Sequence, residues 1–221
     1  MSEINFFNMD LVTESDIRID DTQILKDANE TSKIPSRFWN AKFSDFADIV
    51  TKDNQGNVAY NVTADVKEFA LSKSSGKVLG LFGPNGVGKT YTVCAASHER
   101  AVEGKHPGLY LSCRLLKPMI MTSRSFKATE SEMDLYEKYS KTPFLILDEV
   151  GKCTDPDIEW DFVTTLFALR YDNNLDTIFT TNMDVQMFKD FILNTNNKGQ
   201  DVYDRLHSSL ATRVVRGESH R

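Results

Sequence analysis

The sequence predicts an α/β fold in which a five-stranded parallel sheet is flanked by helices. Three observations predict it. Short apolar runs recur from residue 78 onward, helical stretches separate them, and a glycine-rich loop joins the first run to the first of those helices. Strands that alternate with helices build parallel crossover units, whose sheet is covered on both faces.

The elements follow in order. Residues 1–35 form an acidic arm, with eight acids against three bases and apolar residues scattered without a sustained period. Two readings of the arm stay open: a loosely ordered terminus, or a docking element that orders on a partner, since plain disorder seldom carries so many large apolar side chains. Residues 36–77 form a mixed lead-in, SRFWNAKFSDF followed by the turn-like DNQGN and the loop KSSGK. The main domain is expected over 78–221. Its strands are read at Val78–Phe82, Leu109–Leu111, Phe144–Leu147, Thr177–Thr181 and Ala211–Val215. Helices are read near Thr90–Glu103, Glu130–Ser140, Trp160–Tyr171 and Val202–Ser208.

Composition narrows the function classes. With 221 residues, 40% apolar and 26% charged, a single soluble domain with a short extension is expected. No run approaches the roughly 18 apolar residues that cross a bilayer, so no membrane partner is expected. The first residues lack the basic and apolar regions of a secretory signal. Cys94, Cys113 and Cys153 lie far apart with no CxxC pair, which argues against a disulfide framework or structural zinc and for the cytoplasm. The net charge of −6 sits almost wholly in the arm, and the remainder is nearly neutral. A local basic face for nucleic acid is therefore not excluded.

GPNGVGKT carries the strongest chemical signal. Gly83, Pro84, Asn85, Gly86, Val87, Gly88, Lys89 and Thr90 fit G-x-x-x-x-G-K-[ST], between an apolar strand and a helix. In such a loop the backbone N–H groups wrap phosphate oxygens at the positive end of the helix dipole. Lys89 is expected on the β- and γ-phosphates of ATP, and the Thr90 hydroxyl on Mg²⁺. FLILDEVG then places Asp148 and Glu149 at the C-terminal end of a buried strand, where open parallel sheets bind ligands. Asp148 suits the Mg²⁺ shell and Glu149 suits activation of the attacking water; a solvent-exposed acid pair is the plain alternative. DTIFTTNM ends a further strand at Thr180, Thr181 and Asn182, where a polar side chain either orients that water or simply ends the strand.

These pieces, taken in order, resemble the AAA+ ATPases, and among them the DnaC-type helicase loaders and the related IstB-type transposition ATPases. Ser32-Lys-Ile-Pro-Ser-Arg-Phe, leading into Ala41-Lys-Phe-Ser-Asp-Phe, resembles the approach to that family's ATPase core. Leu169-Arg170-Tyr171 and Thr177 to Asn182 resemble its "RY…TI.TTN" stretch, Val202 to Leu206 its arginine-finger helix, and Arg216 to Arg221 its closing "GxSYR". The resemblance covers residues 32–221, with His220 in place of the usual aromatic residue. It implies a P-loop AAA+ core with Lys89 and Thr90 on nucleotide and Mg²⁺, and Asp148 and Glu149 as the Walker-B pair. It also implies Asn182 as sensor and Arg205 as a finger reaching a neighbouring copy's γ-phosphate, hence self-assembly. The chain stops directly after the fifth strand region, so no C-terminal helical lid is expected. With no cysteine before Cys94, the zinc-bearing docking domain of some loaders is not expected either.

The expected function is an ATPase that loads a replicative DNA helicase, in a bacterium or in the host cytoplasm if phage-encoded. Single-stranded DNA is assigned to Arg114, Lys117, Arg124, Phe126 and Lys127, a basic stretch without an acid; a solvated basic face is the alternative. Two other functions fit the same core: an IstB-type transposition helper, and a helicase-binding adaptor that does not hydrolyse ATP.

Overall fold

The computed structural model describes residues 21–45, 50–52, 58–194 and 199–216. The chain opens with helix α1 (Asp21–Ser32), followed by a small antiparallel ribbon, β1 (Val50–Lys52) with β2 (Val58–Asn61), and helix α2 (Val62–Leu71). Five further strands, β3 (Val78–Phe82), β4 (Leu109–Ser112), β5 (Phe144–Val150), β6 (Asp176–Thr181) and β7 (Leu210–Val214), pair in the order β4-β5-β6-β3-β7. Every pairing in this sheet is parallel. Between them run α3 (Lys89–Val102), α4 (Leu116–Ser123), α5 (Glu132–Lys141), α6 (Pro156–Asp172), α7 (Val185–Leu193) and α8 (Gln200–Ser209). The expected five-stranded parallel sheet is present, with each strand within a few residues of its sequence position.

Alternation along the strands divides the core in two. Val78 and Phe82 of β3, with Leu145 and Leu147 of β5, face the helices α4 to α8. Leu79, Leu81, Phe144 and Ile146 face α2 and α3. Consecutive side chains point to opposite faces of a strand, so a sheet covered on both sides needs apolar residues at nearly every position. On the first face Phe82, Phe179 and Phe188 pack at centroid distances of 4.7 to 5.6 Å. Truncating such a ring to Ala costs about 3–5 kcal/mol.

Residues 21–32, inside the arm read as aperiodic, form α1 packed on α3. Its inner stripe is Ile24, Leu25, Ala28, Asn29 and Ser32, in which the two polar residues disguise the helical period. Asn29 earns its buried place by meeting His98 Nε2 at 2.7 Å and donating to Trp39 O at 3.2 Å. The expectations that fall on residues 1–20 and 217–221, Phe6, Phe7 and His220 among them, lie outside the described residues.

Arg170, from the "RY" stretch, is 1% exposed and ties elements together. It donates to Thr177 Oγ1 on β6 and to the carbonyls of Tyr139 and Thr142, each at 2.8 Å. Those acceptors satisfy a cation that burial would otherwise disfavour strongly. Among the described residues no helix is long and apolar enough to cross a membrane.

Candidate active site

The site forms where β3, β5 and β6 reach their C-terminal ends. The loop after β3 turns sharply, with Gly83, Gly86 and Gly88 all at positive φ. Gly83 has a second requirement, because a Cβ there would sit 2.3 Å from Val215 O. Only glycine fits that approach. Gly88 then caps α3, whose first residues are Lys89 and Thr90, so the amide-rich end of the helix points at the loop.

Lys89 is buried and reaches across the loop. Its Nζ donates to Gly83 O and Pro84 O at 2.7 Å and to Asn182 Oδ1 at 2.9 Å. Asn182 in turn donates to Asn85 Oδ1 at 2.7 Å, so the end of β6 is bound to the tip of the loop. The two places the sequence assigns to nucleotide and sensor are thereby in contact.

Asp148 is the centre of a hydroxyl collar. Its Oδ1 accepts from Thr90 at 2.8 Å and Thr180 at 2.6 Å, and its Oδ2 accepts from Tyr110 at 2.6 Å. Burial pushes the Asp148 carboxyl above the usual range, and the three hydroxyl donors pull it back. Burial beside Asp148 likewise pushes the Tyr110 phenol far up, so it stays a donor. Thr180 also accepts the Glu149 N–H at 2.9 Å and links the two acids. Thr90 Oγ1 and Asp148 Oδ1 are hard oxygen ligands held side by side, which suits Mg²⁺. Among the described residues no group of three His, Cys, Asp or Glu side chains could hold a metal alone.

Glu149 stands in an unusual backbone conformation, with φ at +61°. The turn after it is fixed by Glu159, a buried carboxylate that accepts from Gly151 N at 2.7 Å and Cys153 N at 3.1 Å. The Glu149 side chain is gripped by Arg114: Nη2 donates to Oε1 at 3.0 Å and Nε donates to Oε2. Tyr110, Arg114 as a partner of Glu149, and Glu159 are contributions that sequence reading misses. Tyr110 reads as an ordinary strand residue, and nothing local marks the other two.

The remaining assigned residues lie elsewhere. Arg205 sits on α8 and donates to both carboxylate oxygens of Asp172 at 3.0 Å, with its guanidinium 5.9 Å from the Tyr171 ring. These partners belong to α6, away from the loop of its own chain. In the basic stretch, Lys117 pairs with Asp155 at 3.5 Å and Arg124 with Glu132 at 2.6 Å. Phe126 and Lys127 are exposed. The stretch lacks acids in sequence, but the fold brings one to each of Arg114, Lys117 and Arg124.

The family model for IstB-like ATP-binding proteins matches residues 25–221. The chain belongs to that family. No curated protein matches it in sequence. Among solved structures, this IstB-like chain is similar to DnaI, with a TM-score of 0.61 and 23% identity over 85% of this chain and 94% of that one. It is similar to the DnaC helicase loader at 0.59 and 21%, over 82% of this chain and all of that one. The replication initiator DnaA bound to AMPPCP and single-stranded DNA matches at 0.58 and 16%, over 80% of this chain and half of that one. At these identities the likeness establishes the AAA+ type of fold that the motifs imply.

Proposed function

We infer that this IstB-like chain hydrolyses ATP and uses it to load a replicative DNA helicase onto single-stranded DNA in the cytoplasm. The observation that carries the ATPase reading is the continuous chain Thr90–Asp148–Thr180–Glu149, which puts a metal-shell acid and a candidate base side by side at the glycine loop. Lys89, released from the loop carbonyls, would bind the β- and γ-phosphates. Bound Mg²⁺, held by Thr90 and Asp148, would neutralise phosphate charge. Glu149 takes the proton of the attacking water, and Asn182 orients that water against the γ-phosphate. Arg205 acts on the γ-phosphate of a neighbouring copy, which makes turnover depend on self-assembly.

The loader reading is supported by the likeness to DnaI and DnaC across nearly their whole length. The family match favours a second reading, a transposition helper of the IstB type. Co-purification with the host's replicative helicase, alongside a transposase bait and a DNA-stimulated ATPase assay, tests both. Helicase capture with ATP turnover supports the loader; transposase capture without helicase overturns it.

A further inference from the structure

β4 ends the sheet, and beyond its ladder with β5 its backbone bonds to no other backbone group among the described residues. A cleft of about 890 Å³ runs along that edge. The lining shows where it lies. Tyr110, Leu111 and Ser112 all border it, yet consecutive side chains of a strand point to opposite faces. A cleft that reaches all three passes the edge of the strand, and Arg114 and Glu149 in its lining carry it on over the C-terminal end of the sheet. Its walls come from both helix layers, Pro35 and Arg37 on one side, Met119 and Leu135 on the other. A strand edge with unpaired N–H and C=O groups is a template for another strand, and such walls receive its alternate side chains.

We propose that the occupant is this chain's own N-terminal segment, which adds to β4 as a sixth strand through Phe7–Leu11. Three observations select it. Phe7, Met9 and Leu11 alternate with Asn8 and Asp10, the short period-two pattern of a strand with one apolar face. Residues 1–20 carry five acids against Arg18, and the cleft is bordered by Lys33 and Arg37, with Glu130 and the mutually paired Arg114 and Glu149 also in its lining. The length also suffices. The 12 residues of α1 separate Asp21 from the cleft rim at Lys33 by about 18 Å, and residues 12–20, when extended, span roughly 30 Å. A partner that takes hold of the arm must first draw it from this seat. The inference does not depend on the ATPase reading.

The test uses the full chain and reads hydrogen exchange at the amides of Leu109–Ser112. In the native sequence the outward amides exchange slowly. Phe7→Asn with Met9→Asn and Leu11→Asn speeds their exchange on the order of tenfold or more, while Ile at the same three positions keeps them protected. Successive N–H groups of a strand point to opposite sides, so proline at Asn8 and proline at Met9 differ: one releases the amides and the other leaves them protected. A photo-crosslinker at Leu115, in a mixture of isotopically heavy and light protein, captures residues 1–20 of the same copy. Unchanged exchange in the triple Asn variant overturns the proposal. So does protection that survives both prolines, and so do crosslinks found only between heavy and light copies, which would make a second copy the occupant.

Discussion

Arg114 holds both carboxylate oxygens of Glu149 through two guanidinium nitrogens. Each oxygen gives one acceptor site to the guanidinium, whose positive charge makes the carboxylate a weaker base toward water. Arg114→Ala is expected to raise basal ATP turnover by about twofold to fivefold, the range set by an ion pair whose arginine is half exposed and whose glutamate is mostly covered. A steady-state assay without DNA checks it. A fall in turnover would mean that Arg114 assists the chemistry instead of restraining it.

Lys89 and Glu149 separate binding from chemistry. Lys89→Ala is expected to lose most nucleotide affinity, because it removes a charge-assisted phosphate contact. Glu149→Gln should bind nucleotide near the native level and turn over roughly 10²–10⁴ times more slowly. Calorimetry with a non-hydrolysable analogue, beside phosphate release, distinguishes the two variants. Native-rate hydrolysis in Glu149→Gln removes Glu149 from the mechanism.

The hydroxyl collar predicts a pH dependence. Burial raises the folded Asp148 carboxyl above its unfolded value, so in the ligand-free protein ionisation there works against the fold. That part of stability is present below the unfolded value and is lost as pH rises through the folded one. Tyr110→Phe removes a hydrogen bond that is stronger when Asp148 is charged. The variant should therefore lose about 1.5–3 kcal/mol where Asp148 is charged, and the loss should shrink as pH falls through its raised folded value. Melting curves over a pH series decide it, and a loss that does not change with pH would count against the link.

Most of the fold is legible in the sequence because strands, glycine loop and strand-end acids are local signals. Phe144 to Glu149 shows a buried strand and its acid pair within a few residues. What escapes notice is long-range pairing. Tyr110 meets Asp148 across 38 positions and Arg114 meets Glu149 across 35, and neither partner carries a local mark. Arg114 to Lys127 looks like a uniform basic run for the same reason: Glu132, Asp155 and Glu149 reach it only after folding. The helical period of α1 is hidden by Asn29 and Ser32, polar residues satisfied by His98 of α3 and by the helix's own Ala28 carbonyl.

Arg205 is expected to work only between copies. Arg205→Ala should bind nucleotide normally yet lose any rise of turnover with protein concentration. Mixing it with Lys89→Ala protein should restore part of the activity, since each variant supplies what the other lacks. Titrating one variant into the other at fixed total protein measures this. No recovery at any ratio would leave Arg205 as the partner of Asp172 and nothing more.

For DNA, replacing Lys117, Arg124 and Lys127 with Ala should weaken single-strand binding across many sequences. Each phosphate contact adds about 0.7 to the log–log salt slope, so losing three should flatten it by roughly two. Phe126→Ala should lower affinity with the slope unchanged, as for a stacking ring. Fluorescence anisotropy over a salt series reads both effects. An unaltered slope in the triple variant moves the DNA site elsewhere.

The left-handed backbone of Glu149 sets two kinds of selection against each other. A side chain in that region is disfavoured by about 1–2 kcal/mol, and glycine escapes the penalty. A screen for thermal tolerance would therefore favour glycine here, a change that firms the scaffold and removes the carboxylate proposed as the base.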